Sequence, residues 1–234
     1  MKYKRVLLKL SGESLAGKQG YGVDGDILHY FAEEIESVHS KGVQVAVVLG
    51  GGNIFRGLSG TKKGVSRVQG DYMGMMATVI NSLALQDALI QKGIKATVFS
   101  GIEITPLCKR MSSSSAIGKL EKGQVVIIAG GTGNPYFTTD SAAALRAIEV
   151  EADMLMKGTR VDGIYDADPE KNPNAMKFDS LTYDEALDKE LKVMDMTAFT
   201  LCKENEMPIV VFDMNVSGNL KALLEGKNIG TIVN

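Results

Sequence analysis

Val43-Gln-Val-Ala-Val-Val-Leu-Gly-Gly-Gly-Asn53 decides the fold. Seven residues, six of them apolar and mostly valine, read as a strand buried on both faces, as in parallel sheets whose two sides are covered by helices. Three glycines follow at once, where a parallel sheet places its ligand-binding loops. On the N-terminal side, Asp26–Lys41 carries Ile27, Leu28, Phe31, Ile35 and Val38 at helical spacing and stops at Gly42. On the C-terminal side, Asp71–Lys92 reads as a long helix stopped by Gly93. Further strands are expected at Val6–Leu10, Ile94–Phe99, Gln124–Ala129, Asp153–Lys157, Ile209–Phe212 and Gly230–Val233. Helices are expected at Thr139–Glu149, Tyr183–Glu190, Thr197–Glu206 and Leu220–Leu224. Strands alternating with helices predict an α/β protein, a three-layer αβα sandwich with a mainly parallel central sheet. Asp162–Asn174, rich in Asp, Asn and Pro, reads as a long loop of the kind that often carries function.

Composition removes several function classes. The 234 residues are 44% hydrophobic and 23% charged, ordinary usage for a globular chain and far from a disordered or fibrous one. The net charge is -2 and no basic stripe is visible, which argues against a nucleic-acid partner. No unbroken apolar run approaches the ~18 residues of a membrane span, and Met1–Leu8 lacks the features of a secretory signal, so a cytoplasmic protein without a membrane partner is expected. Cys108 and Cys202 stand far apart, and His29 and His39 point to different faces of one helix, so no metal cluster is expected. The unusual number is 26 glycines, about one residue in nine where about one in fourteen is typical.

Two glycine motifs mislead. Gly12-Glu-Ser-Leu-Ala-Gly-Lys-Gln19 is nearly a P-loop, but Gln19 stands where a magnesium-binding Ser or Thr belongs, and Gly20-Tyr-Gly22 follows instead of a helix. Gly20-Tyr-Gly-Val-Asp-Gly25 matches a dinucleotide fingerprint but does not leave a strand directly.

The informative glycines stand at strand ends. Lys9-Leu-Ser-Gly12 ends the first strand, Gly50-Gly-Gly-Asn53 with Arg56-Gly57 follows the second, and Gly130-Gly-Thr-Gly-Asn-Pro135 follows Gln124–Ala129. Each loop can aim backbone N–H groups at an anion, with no Cβ to hinder approach. Lys9 adds a point charge and Arg56 a bidentate fork. The pattern points to a phosphate-rich ligand and suits phosphoryl transfer, where catalysis is mostly positioning and electrostatics. An acceptor that is already a phosphate anion needs no base. Asp71, Asp140 and Asp168 remain for ribose, magnesium or orientation. Each has a plainer reading: helix capping for Asp71 and Asp140, turn chemistry for Asp168.

Lys9-Leu-Ser-Gly-Glu13, Gly50-Gly-Gly-Asn-Ile-Phe-Arg-Gly57, Gly70-Asp-Tyr-Met-Gly-Met75, Thr132-Gly-Asn-Pro-Tyr-Phe-Thr-Thr-Asp140 and Val161-Asp-Gly-Ile-Tyr-Asp-Ala-Asp-Pro169 closely resemble the bacterial uridylate (UMP) kinases of the amino acid kinase superfamily. The resemblance covers essentially the whole chain, which it reads as one amino acid kinase domain over residues 1–234. The acceptor lobe would be mainly N-terminal and the ATP lobe mainly C-terminal. It implies the reaction ATP + UMP ⇌ ADP + UDP, with Mg2+ carried by ATP and not ligated directly by the protein.

The resemblance also implies residue roles. Lys9, Asp140 and Lys157 would form the catalytic set, with Asp195 in support or in a structural role. Lys9, Leu10, Ser11, Gly12, Gly52, Arg56, Thr159, Tyr165 and Asp168 would serve ATP. Gly51, Asp71, Thr132, Gly133, Asn134, Pro135, Tyr136, Phe137, Thr138 and Thr139 would serve UMP, Asp71 taking the ribose hydroxyls with both carboxylate oxygens. A homohexamer activated by GTP and inhibited by UTP is implied, with Gly17, Lys18, Gln19, Gly20, Tyr21 and Gly22 as the GTP-responsive segment. A non-catalytic nucleotide- or oxyanion-binding relative is the alternative.

Overall fold

In the computed structural model, which describes residues 1–56 and 64–234, the strand read from Val43 runs over Gln44–Leu49 and lies near the middle of a nine-stranded sheet. In chain order the strands are β1 (Arg5–Leu10), β2 (Gln44–Leu49), β3 (Ala96–Ser100), β4 (Lys109–Arg110), β5 (Val125–Ala129), β6 (Met154–Thr159), β7 (Ile164–Tyr165), β8 (Lys177–Phe178), β9 (Ser180–Leu181), β10 (Ile209–Asp213) and β11 (Thr231–Val233). The sheet order is β4-β3-β5-β2-β1-β6-β10-β11-β9, with β7 and β8 forming a separate pair. All pairs in the large sheet are parallel except β10 with β11.

Helices cover both faces. We label them α1 (Gly12–Leu15), α2 (Gly25–His39), α3 (Arg67–Gln91), α4 (Ser113–Leu120), α5 (Thr139–Glu149), α6 (Tyr183–Asp188), α7 (Met196–Glu204) and α8 (Asn219–Leu224). One core joins Val6, Leu8 and Leu10 to Phe31 and Ile35 of α2, Leu85 and Leu89 of α3, and Leu220 of α8. The other joins Leu7 to Ala143 and Ala147 of α5, Phe199 of α7 and Ala116 of α4. Alternate β1 side chains thus face opposite cores, and Val6, Leu7, Leu8 and Leu10 are fully buried. Burying each large aliphatic group contributes about 1.5–3 kcal/mol.

The local sequence explains the ends of the elements. Asp24 caps α2 through Asp26 N–H and Ile27 N–H, and Thr138 caps α5 through Asp140 N–H and Ser141 N–H. Two expectations need correction. The long helix begins at Arg67 under a Ser66 cap, four residues before Asp71, so Asp71 lies in its second turn and caps nothing. Asp162–Asn174 is not a plain loop, because Ile164–Tyr165 pairs antiparallel with Lys177–Phe178 to make a short arm. Short elements at α1, α4, β4 and β9 carry too few periodic residues to be read from the sequence. Helix α3 also contains an 18-residue window with a mean hydropathy of 1.3, long and apolar enough by composition to cross a membrane. Part of that apolar content is the face that it buries against β3, β5 and α2, whereas Met73, Met76 and Ile80 of the same helix are exposed.

Candidate active site

The sheet order makes the three glycine loops neighbours, since β5, β2, β1 and β6 are consecutive and parallel. Lys9 near the end of β1 is the direct register partner of Lys157 near the end of β6. Lys9 Nζ lies 2.8 Å from Asp140 Oδ1, and Lys157 Nζ lies 2.8 Å from Asp140 Oδ2. The Lys157 contact is a directed hydrogen bond, and Lys157 donates a second to Val193 O at 2.6 Å. The Lys9 contact is a charge contact without hydrogen-bond alignment. All three side chains are largely buried, between 12% and 16% exposed.

Burial alone would push the Asp140 carboxyl up, but the ammonium groups of Lys9 and Lys157 outweigh it and hold the acid below the usual carboxylate range. Burial pulls Lys157 below the ordinary lysine value; Asp140 opposes the shift and Lys9 adds to it. Asp140 therefore stays ionised and faces cations with both oxygens. Thr138, not Asp140, caps α5, so the capping alternative for Asp140 falls away.

The glycines are needed first for loop-on-loop packing. A Cβ on Gly12 would stand 2.5 Å from Gly50 O, and one on Gly101 would stand 2.8 Å from both Gly131 O and Gly133 N. Gly51 is equally tight against Ala77 and Gly74 O, whereas Gly52 and Gly131 have room beside them. This narrows the expectation that each glycine serves an anion. The buried amides of Asn53 and Asn81 bond each other in both directions, at 3.0 and 2.8 Å. Asn81 also donates to Gly50 O and Asn53 to Gly22 O, pinning the loop after β2 to the Gly17–Gly22 segment. Gly57, which closes the second glycine motif, lies outside the described residues.

Three cavities surround this centre. A cavity of about 370 Å³ is lined by Gly51, Gly52, Arg56, Asp71, Thr138 and Thr139, among others. Gly52 and Arg56, expected with ATP, thus stand at the join of the two sides, and Arg56 pairs with Glu13 beside the first glycine loop. A second cavity, about 500 Å³, holds Lys9, Ser11, Gly17, Lys18 and Lys157. A third, about 590 Å³, is lined by Lys157, Thr159, Tyr165 and Asp168 together with Lys189 and Lys192, which sequence reasoning missed. Asp168 also makes the turn contact of its plainer reading, accepting from Glu170 N–H at 3.0 Å.

Some expected residues are not brought to these cavities. The Leu10 side chain is in the core and its carbonyl accepts from Gly50 N–H. Gly133 is pressed against Gly101. Asn134 and Phe137 line a separate groove with Met196 and Thr200, although Phe137 also reaches the 370 Å³ cavity. Tyr136 is 67% exposed. Gln19, Gly20 and Tyr21 are exposed and line none of the three cavities. Asp195 caps α7 through Ala198 N–H and accepts from Thr138 and Ser141 hydroxyls, tying the loop after β5 to α7. Arg146, not expected, is buried and donates to Gly131 O at 3.0 Å, supporting the same loop from below. Thr78 accepts from Gly130 N–H at 2.8 Å.

Two lysines thus stand side by side on adjacent parallel strands and share one acid, with glycine loops at the neighbouring strand ends. The sequence pattern of the amino acid kinase family matches residues 4–213. The chain belongs to the amino acid kinase family. Within that family it is 58% identical over 232 residues to the uridylate kinase of Bacteroides thetaiotaomicron, covering 99% of this chain and 98% of that one. Two solved structures of amino acid kinases share its architecture throughout. The UMP kinase of Bacillus anthracis superposes with a TM-score of 0.97 at 35% identity, covering 100% of this chain and 97% of that one. The UMP kinase of Ureaplasma parvum superposes with a TM-score of 0.94 at 42% identity, covering 100% of both chains. These matches agree with the resemblance carried by the five motifs and with the αβα sandwich expected from the strand pattern.

Proposed function

We propose that this amino acid kinase is a uridylate kinase that transfers the γ-phosphoryl group of ATP to UMP, giving UDP and ADP. The observation that carries the reading is the Lys9–Asp140–Lys157 bridge, whose two lysines line the 500 Å³ cavity and whose Lys157 also lines the 590 Å³ one. The 370 Å³ cavity with Asp71 would take UMP, and the cavity with Tyr165 and Asp168 would take the ATP nucleoside. The pocket with Lys9, Ser11 and Lys18 would take the ATP phosphates. The two lysines stabilise the charge that spreads over the transferred group's oxygens.

Asp140 acts as a positioning group. With its oxygens committed to two ammonium groups, it is neither a base nor a free metal ligand. Among the described residues no three His, Cys, Asp or Glu side chains come together as a metal site. On this reading the Mg2+ of the reaction would arrive on the ATP phosphates. The acceptor is already an anion and needs no base.

Further parts of the reading are one catalytic domain over residues 1–234, a homohexamer, activation by GTP through the Gly17–Gly22 segment and inhibition by UTP. A cytoplasmic place in pyrimidine nucleotide synthesis belongs with them. The contact of Gly22 with Asn53, beneath the glycine loop after β2, supports a regulatory link from that segment to the site. The test is ADP formation from ATP and magnesium with UMP, CMP, AMP and GMP offered separately. Strong preference for UMP is expected. Nucleotide binding without turnover would replace the reading by a non-catalytic relative.

A further inference from the structure

The acceptor cavity contains an arginine that none of the motifs identified. Arg67 opens α3 one helical turn before Asp71, and its Nε–H donates to Asp71 Oδ2 at 2.8 Å. The same oxygen accepts the backbone N–H of Tyr136 at 2.8 Å. The guanidinium lies over the Tyr136 ring, 5.5 Å from its centroid, a cation–π distance. Tyr136 has φ +73°, in the left-handed region that a tyrosine seldom adopts, so the loop needs outside contacts to hold it there. Arg67 and Asp71 supply both of them. Oδ2 is filled by two donors, whereas Oδ1 has no partner among the described residues. Asp71 is 12% exposed at the wall of the cavity, so Oδ1 is the oxygen left for a ligand.

We propose that Arg67 is a positioning residue that sets discrimination between ribose and deoxyribose acceptors, by holding Asp71 Oδ2 and the Tyr136 loop so that Oδ1 alone addresses the sugar. This rests on the reading of the cavity as the UMP site. It also amends the expectation that Asp71 engages ribose with both oxygens. A planar fork suits the task. It bonds the carboxylate edge-on while lying flat on a ring, which an ammonium group does less well. Loss of Arg67 would free the Asp71 side chain to rotate and release the Tyr136 ring, without touching the lysine centre.

The test compares wild type, Arg67→Gln and Arg67→Lys with UMP and dUMP as acceptors, and measures UMP and dUMP binding by calorimetry. For Arg67→Gln, the expected result is a rise of about tenfold in the UMP KM and Kd, the size of one charge-assisted hydrogen bond. The dUMP constants should move much less, so the preference for UMP collapses, with kcat within about twofold and the ATP KM unchanged. Arg67→Lys should recover part of the preference. Equal losses for UMP and dUMP would show that Arg67 meets the acceptor's phosphate instead, and would overturn the proposal. So would an unchanged preference in Arg67→Gln, or a wild type that does not distinguish the two sugars. Thermal melting of each variant separates these results from misfolding; if Arg67→Gln does not fold, full wild-type preference in Arg67→Lys overturns the proposal. A wild type that neither binds nor phosphorylates UMP would instead strike the functional reading itself, before any variant is compared.

Discussion

Lys9 and Lys157, 148 positions apart in the sequence, are direct register partners on adjacent parallel strands and share one carboxylate, Asp140. The register of β1 against β6 therefore sets the spacing of the two cations. A ladder of backbone hydrogen bonds holds that spacing more rigidly than any loop could. The third member comes from the first turn of α5, where Thr138 fixes the helix start by capping.

Lys9→Ala should lower kcat by about 10²–10³-fold, the usual loss when one preorganised donor to a transition-state charge is removed. UMP and ATP binding should persist and the protein should still fold, because Asp140 keeps Lys157 as a partner. Steady-state kinetics with calorimetry checks this; wild-type turnover would remove Lys9 from the mechanism.

Asp140→Asn removes the carboxylate that two buried ammonium groups share. Breaking a buried pair in this way costs about 3–5 kcal/mol, which denaturant unfolding would read. The pH dependence has a definite sign. Because the folded-state acid is held below its ordinary value, its stabilisation is present at neutral pH and is lost as pH falls below about 4 toward the lowered value. The acid-side loss of stability should therefore be smaller in the variant than in wild type.

Lys157 makes an alkaline prediction. Burial lowers it, so the folded protein should lose this proton below the ordinary lysine value of about 10.4. The alkaline fall in kcat should follow it. In Asp140→Asn that limb should move to still lower pH, because the carboxylate opposes the shift. A pH–rate profile of both proteins decides; a limb at the same pH in both would separate Lys157 from the rate.

Gly101→Ala places a methyl group 2.8 Å from Gly131 O and Gly133 N, backbone atoms that cannot step aside cheaply. Overpacking of this kind costs about 1–3 kcal/mol. The displaced loop should raise the UMP KM while the ATP KM stays constant.

Both cysteines should resist thiol reagents in the native protein. Cys108 and Cys202 are buried, and burial pushes the Cys202 thiol up to about 12, with Asp140 adding to the shift. Mass spectrometry after alkylation at pH 8 should find no label before unfolding and 2 labels after it.

Much of this was legible from the chain because the informative residues are local. Val43–Leu49 announces a doubly buried strand by composition, and the observed Gln44–Leu49 differs by one residue. Thr139–Glu149 appears with the expected bounds because its cap and alanine-rich body agree. Lys9, Asp71 and Asp140 stand inside motifs. Arg67, Arg146 and Asn81 escaped because their roles depend on what lies across a turn, beneath a loop or behind a glycine. The one local signal for Arg67 is its position four residues before Asp71, which has meaning only in a helix that starts at the Ser66 cap and not at Asp71. Loop-on-loop contact between Gly101 and Gly133 leaves no trace in periodicity at all.

The place of β1 in the sheet bears on how the protein is made. β1 precedes every other described strand in the chain, yet one of its two neighbours, β6, follows only after α5. A growing chain that has emerged through Glu149 carries an apolar strand with one unpaired edge and an incomplete second core. Such edges invite pairing with other chains. Translation past Thr159 therefore closes this edge of β1 and delivers Lys157 in the same event, and the open edge passes to β6 until β10 arrives.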